Sequence, residues 1–292
     1  MFGFTRQGYY QALHRQIKEQ VQETQIVDMV TNMRKAQPRL GGRKLYLLLE
    51  QEMKQKGIKI GRDAFFGILA NNKLLVRRRK RKVITTFSKH RFRKYPNLIR
   101  ELVITRPNQV WVSDITYWLT QAGYLYISLI TDAYSRRIMG YEVAQSLETV
   151  HCCTALQMAL QTITKQIGKH LIHHSDRGLQ YCSNEYTKLL DGFDISISMT
   201  ENSDPLENAI AERINGILKQ EYLNHQVVTT IHQARSVLET AVFLYNYKRP
   251  HSSCDMLFPQ QAHQKQGPIK KRWKNYYRKK EESTTLVNEE PD

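Results

Sequence analysis

Apolar residues recur at helical spacing along the first part of the chain. Leu13, Ile17 and Val21 stand four apart, and Ile26, Val27, Val30 and Met33 extend the series; such recurrence predicts helix. Pro38 and Gly41-Gly42 interrupt it. A second helix is predicted over 43–54 with Leu45, Leu48 and Leu49 inward, and a third from Arg62 onward. Between them, Gly57 and Gly61 bracket the short turn GIKIG. Helix, turn and helix with a Gly-bearing connection fit a helix-turn-helix reader of DNA. A plain three-helix packing module fits the same pattern. In the first reading Arg43 and Arg62, which open the second and third helices, are the candidate DNA contacts.

From Pro107 the period changes to two. In VWVSDITYW, Val110, Val112, Asp114 and Thr116 share one face and Trp111, Ser113, Ile115 and Tyr117 the other, the alternation of a strand. YLYISLITD and RRIMGYEVA give a second and a third strand, and their short connections predict an antiparallel meander. A helix is predicted over 148–166, then a strand over 169–174, which after a helical crossover becomes a parallel neighbour. A helix over 184–190 and a short strand over 195–199 follow. Asp204 reads as the N-cap of the next helix, with Pro205 in its first position and Glu207 closing a capping box. Along that helix Leu206, Ile210, Ile214, Ile217 and Leu218 make an apolar stripe, while Asn208, Glu212, Asn215 and Lys219 line another face. One more helix is predicted over 231–245. The order β-β-β-α-β-α-β-α predicts an α/β fold: an RNase H-like mixed five-stranded sheet flanked by helices, behind an N-terminal helical (helix-turn-helix-like) module.

Charge adds a partner to this picture. The 292 residues carry a formal net charge of +17, which favours a polyanion and nucleic acid first of all. Charge alone also fits a ribosomal or membrane-surface protein. Residues 77–94 hold ten Lys or Arg and no acid, among them Arg77, Arg78, Arg79, Lys80, Arg81 and Lys82, with Phe87 and Phe92 interleaved. We read this run as lying along a phosphate backbone; a solvated linker is the plain alternative. The chain then divides into a helical module (1–75), a basic linker (76–105), a catalytic core (106–265) and a basic, then acidic, tail (266–292). The four cysteines form no C-x-x-C pair, which argues against zinc and for reduced thiols in the cytosol. The N-terminus is too polar for a signal peptide, and no apolar run is long enough to cross a bilayer. The expected location is the cytoplasm.

The candidate chemistry rests on three acids. Asp114 lies in the first strand, Asp176 ends the fourth, and Glu212 sits on the helix that follows the fifth, 35 residues separating Asp176 from Glu212. Two Asp on strands and a Glu on a helix suit two hard divalent ions, Mg²⁺ or Mn²⁺, and so phosphodiester cleavage. Asp114 would bridge both ions, with Asp176 on one and Glu212 on the other. Each also has a structural alternative: a sheet-edge acceptor, a turn residue, and an exposed helix residue paired with Lys219. Asp132, Glu201 and Glu207 compete for the same roles, and a turn, a loop and a cap respectively account for them. His174, or His173 beside it, and Asn208 are read as neighbours supporting the carboxylates. A Ser-His-Asp hydrolase is excluded, since adjacent strand residues diverge and no nucleophile elbow is present.

At these residues the chain resembles the catalytic protein of bacterial insertion sequences of the IS3 family, whose DDE core is shared with retroviral integrases. The matching stretches are NQVWVSDITYW, YLYISLITDAYSRRIMGYEV, HHSDRGLQYCS, ENAIAERINGILKQEY and YNYKRPHSS, with RLGGRKLYLLLEQEMKQKGIKIGRDAFFGIL resembling the helical module upstream. The resemblance implies that Asp114, Asp176 and Glu212 bind metal, that Lys219 contacts DNA, and that element ends are cut and joined with Mg²⁺. It further implies a homo-multimer on paired DNA ends, and a helix-turn-helix product of an upstream frame as a partner. Two departures bear on end preference: GGR at 41–43 where Tyr-Gly-Arg is usual, and SDPLENA where a Gly-Asn-Cys-Tyr-Asp-Asn-Ala type of run is usual. A catalytically silent DNA-binding regulator and an RNase H-like nuclease are the competing readings.

Overall fold

The computed structural model describes residues 5–76, 93–201 and 208–272. Arg77, Arg78, Arg79, Lys80, Arg81 and Lys82 therefore lie outside the described residues, as do the predicted cap residues Asp204, Pro205 and Glu207 and the basic block beyond 272.

The N-terminal module contains α1 (Arg6–Ala36), α2 (Gly42–Gln55) and α3 (Arg62–Asn71). Thr5 starts α1 by accepting from the Gly8 amide, a side-chain N-cap. Ile26, Met29 and Val30 of α1 meet Leu45, Leu49, Met53, Phe65 and Leu69 in one buried cluster. The apolar positions of the first half behave differently: Leu13, Ile17 and Val21 are 39–52% exposed. At 14 and 10 residues, α2 and α3 are too short to cover a helix of 31. Gly57 has φ +70 in the turn before α3, a backbone that favours glycine.

The five strands are β1 (Val110–Thr120), β2 (Gly123–Asp132), β3 (Ile138–Ala144), β4 (Ile172–Ser175) and β5 (Ser196–Met199), in the spatial order β3-β2-β1-β4-β5. β1, β2 and β3 pair antiparallel, while β4 and β5 join in parallel. That is the expected RNase H-like arrangement. Between β3 and β4 the predicted single helix is two: α4 (Thr149–Leu160) and the short α5 (Lys165–Gly168). Thr162 Oγ1 accounts for part of the break, bonding back to the Ala159 carbonyl, a local competitor of helix propagation. α6 (Leu179–Cys182) and α7 (Asn184–Asp191) lie between β4 and β5.

The helix after β5 is described as α8 (Ala209–Glu221), with Asn208 at its cap. α9 (Ile231–Lys248) and the short α10 (Pro259–Ala262) complete the described α-helices. One sheet face packs Trp111, Ile130 and Met139 against Leu156, Tyr186 and Leu190. The opposite face packs Trp118, Leu125, Ile127 and Leu129 against Ile214, Ile217, Leu218, Leu238 and Val242. The core is thus three layers, helix, sheet and helix. Gly140 lets α4 close on β3, since a Cβ there would stand 2.0 Å from the Ala155 carbonyl oxygen.

The helical module touches the core at the end of α8. Tyr222 donates to Gln37 Oε1 at 3.2 Å, and Lys44 lies 3.7 Å from Glu221. Glu221 is held in turn by the buried Arg249 through two bonds of 2.7 Å.

Candidate active site

Parallel pairing brings the two aspartates together. β1 and β4 match Val110 with Ile172, Trp111 with His173 and Val112 with His174. Carried two residues beyond the last paired positions, this register leads to Asp114 and Asp176, and the charge of Asp176 acts on Asp114. Asp114 is partly buried on the face that α8 covers, and its Oδ2 accepts from Asn215 Nδ2 at 2.8 Å. Just past β4, Asp176 Oδ1 accepts from the Gly178 amide at 3.0 Å, which fixes the carboxylate at a tight turn. Glu212 is exposed on the first turn of α8, three residues before Asn215.

The electrostatics link the three. Burial pushes the Asp114 carboxyl up to about 7; Asp176 and then Glu212 add to the rise, and the Asn215 bond opposes it. A crowded carboxylate with a raised proton affinity is a mark of functional sites. Lys219 is half-buried on the same helix, and burial lowers its ammonium pKa while Asp114 raises it. Among the described residues no three His, Cys, Asp or Glu side chains stand close enough to hold an ion as they are. The donor set nonetheless suits a hard cation, for it is all carboxylate oxygen.

The supporting residues divide. Asn208 is buried and donates from Nδ2 to the Ser113 carbonyl at 3.1 Å. It therefore ties the start of α8 to β1 one residue before Asp114. His174 is buried between strands, with Nδ1 2.8 Å from Ser198 Oγ on β5, so it braces β4 just ahead of Asp176. His173 Nε2 lies 2.7 Å from Ser113 Oγ and 2.9 Å from the Tyr186 hydroxyl. Burial, with the neighbouring His174, pushes its pKa down to about 3 and keeps it neutral. Two of the competing acids, Asp132 and Glu201, are occupied elsewhere. Asp132 accepts from the Asn108 amide and from both the amide and hydroxyl of Ser135, each at 2.7 Å. Glu201 takes the Asn97 amide and an ion pair with Arg100 at 2.8 Å. Of the proposed DNA contacts in the helical module, Arg62 is exposed and pairs with Asp63 at 2.8 Å. Arg43 is exposed and donates to the Arg272 carbonyl at 3.4 Å. Asn215 was not among the expected site residues, although its position three after Glu212 was a signal for it.

Comparison with known proteins gives a consistent family. An integrase core domain family matches residues 104–205, and a second family of the same description matches 193–259. The 31 kDa protein of insertion element IS600 from Shigella sonnei is 32% identical over 263 residues, 89% of this chain and 94% of that protein. The transposase for insertion sequence element IS629 from the same organism is 31% identical over 199 residues, 68% of this chain and 66% of that protein. Transposase InsF for insertion sequence IS3A of Escherichia coli (strain K12) is 32% identical over 173 residues, 58% of each chain. Among solved structures, the catalytic core domain of HTLV-2 integrase in complex with magnesium covers 54% of this chain and 97% of its own, at 16% identity and a TM-score of 0.43.

Proposed function

The chain belongs to the IS3 family of insertion-sequence transposases, DDE-type enzymes with an integrase core domain, and from that premise we propose that Asp114, Asp176 and Glu212 are its metal-binding carboxylates. Two divalent cations, Mg²⁺ or Mn²⁺, bound there would neutralise the phosphate and activate the attacking oxygen. The reaction has two steps. Water attacks a phosphodiester at the element end and frees a 3′-hydroxyl. That hydroxyl then attacks a phosphodiester of the target, so the new bond replaces the one broken. Asn215 orients Asp114, the Gly178 amide orients Asp176, and Asn208 anchors the helix that carries Glu212. Lys219, on that helix and within the field of Asp114, meets the DNA phosphate beside the reacting end.

The helical module at 1–75 and the basic linker at 76–105, with Arg43, Arg62 and the run from Arg77 to Lys82, hold the DNA while the core at 106–265 cuts it. The working form is a homo-multimer on two paired ends, joined by the helix-turn-helix product of an upstream frame. The observation that supports this reading most is the Asp114 carboxyl, held near 7 by burial and by both other acids at once. The test is nicking of DNA that carries the element ends, in Mg²⁺. Asp176→Asn is expected to abolish nicking and leave DNA binding intact; nicking at the wild-type rate would reject the catalytic assignment.

A further inference from the structure

Tyr181 keeps an unused hydroxyl. It lies on α6, just after the turn that holds Asp176, and is 3% exposed. Packing fixes its ring, which stands edge-on to Tyr186 at 5.3 Å and tilted to His173 at 6.3 Å. The Tyr186 hydroxyl has His173 as a partner. The Tyr181 hydroxyl is buried and has no hydrogen-bond partner among the described residues. A buried polar group left without a bond is costly, and phenylalanine would fill the same space without that cost. A Cβ added at Gly178 would stand 2.9 Å from Asp176 Oδ1 and 3.5 Å from Tyr181 Cδ2, so the carboxylate and the ring border the same turn. An ionised carboxylate has room for about four hydrogen bonds. Asp114 accepts from Asn215 Nδ2 and from the Ile115 amide, and Asp176 Oδ1 accepts from the Gly178 amide.

We propose that Tyr181 is a positioning residue for the metal centre: its hydroxyl donates to the Asp114–Asp176 carboxylates once a divalent cation is bound, and holds them in the binding geometry. The inference rests on the reading of the three acids given above. Ligating carboxylates are commonly bonded in this way, and loss of such a bond lowers metal affinity about 10–100-fold.

The experiment compares full-length wild type, Tyr181→Phe and Asp176→Asn by thermal unfolding without metal and by calorimetric titration with Mn²⁺. Tyr181→Phe is expected to melt at or above the wild-type temperature without metal, and to bind Mn²⁺ about tenfold or more weakly. Asp176→Asn is expected to lose Mn²⁺ binding. If Asp176→Asn loses binding while Tyr181→Phe titrates like wild type, the role of Tyr181 is overturned and the carboxylate site stands. If Asp176→Asn binds Mn²⁺ like wild type, the site itself is wrong and the inference falls with it. A metal-free Tyr181→Phe that melts well below wild type would show that the hydroxyl already serves the fold, and would also overturn the proposal.

Discussion

Asp114 is the residue on which the site's electrostatics turn. Its folded pKa, about 7, lies above the ordinary value of 3.8. Between those limits the folded chain keeps a proton that the unfolded chain has lost. In the metal-free protein this contribution to stability is therefore full below about pH 4 and is lost as pH rises through about 7. His173 acts in the opposite sense, since its pKa falls to about 3 and its contribution is lost as pH drops below the ordinary value of 6.5. The Asp114 effect is best isolated as a difference. Asp114→Asn is expected to gain on wild type by on the order of 2–4 kcal/mol between pH 4 and pH 8 without metal. Urea unfolding at a series of pH values measures it. A difference independent of pH would mean that Asp114 is not desolvated beside the other acids. Divalent ions compete for the same oxygens, so metal affinity is expected to climb through the same range.

Helix α8 joins scaffold to chemistry and is fastened at both ends. At its start Asn208 reaches the Ser113 carbonyl; at its last residue Glu221 takes the two-bonded grip of Arg249. Between them Glu212, Asn215 and Lys219 share a face at spacings of three and four residues. Losing one partner of a buried ion pair costs about 3–5 kcal/mol, because the other charge stays behind. Arg249→Met is expected to destabilise the chain by that amount in chemical denaturation, and a loss under about 1 kcal/mol would show that α8 is held by packing alone. Asn208→Ala removes a single buried bond and is expected to cost about 1–2 kcal/mol. Its larger effect should be on nicking, through the placement of Glu212.

For the whole molecule, the positive charge sets how the chain meets DNA. Net charge is +17, and residues 77–82 alone supply six cations in a row. Each phosphate neutralised lowers the slope of log affinity against log salt by about 0.9. Replacing all six with Gln is expected to make that slope shallower by up to about 5, with little change in the sequence preferred. Binding measured across salt concentrations checks this, and an unchanged slope would place the run away from the DNA. The junction formed by Gln37, Lys44, Glu221 and Tyr222 connects the helical module to the end of α8. A physical link therefore runs from the proposed DNA-reading helices to the helix that bears Glu212.

Strand and helix periods, the order of elements and the spacing of Asp114, Asp176 and Glu212 were all legible in the sequence, because a two-residue or a 3.6-residue repeat is a local property of the chain. Local signals had limits. Leu13, Ile17 and Val21 match a buried stripe, yet exposure depends on whether another element covers them. The single helix predicted over 148–166 is broken where Thr162 turns its hydroxyl back on the chain. Tertiary structure alone decided which polar groups meet: the parallel pairing of β1 and β4 that leads to Asp114 and Asp176, Asn215 on the Asp114 carboxylate, Asn208 on Ser113, and a Tyr181 hydroxyl buried without a partner among the described residues. Such contacts join residues far apart along the chain. Burial then fixes their energies, by removing the water that would otherwise serve each group equally well.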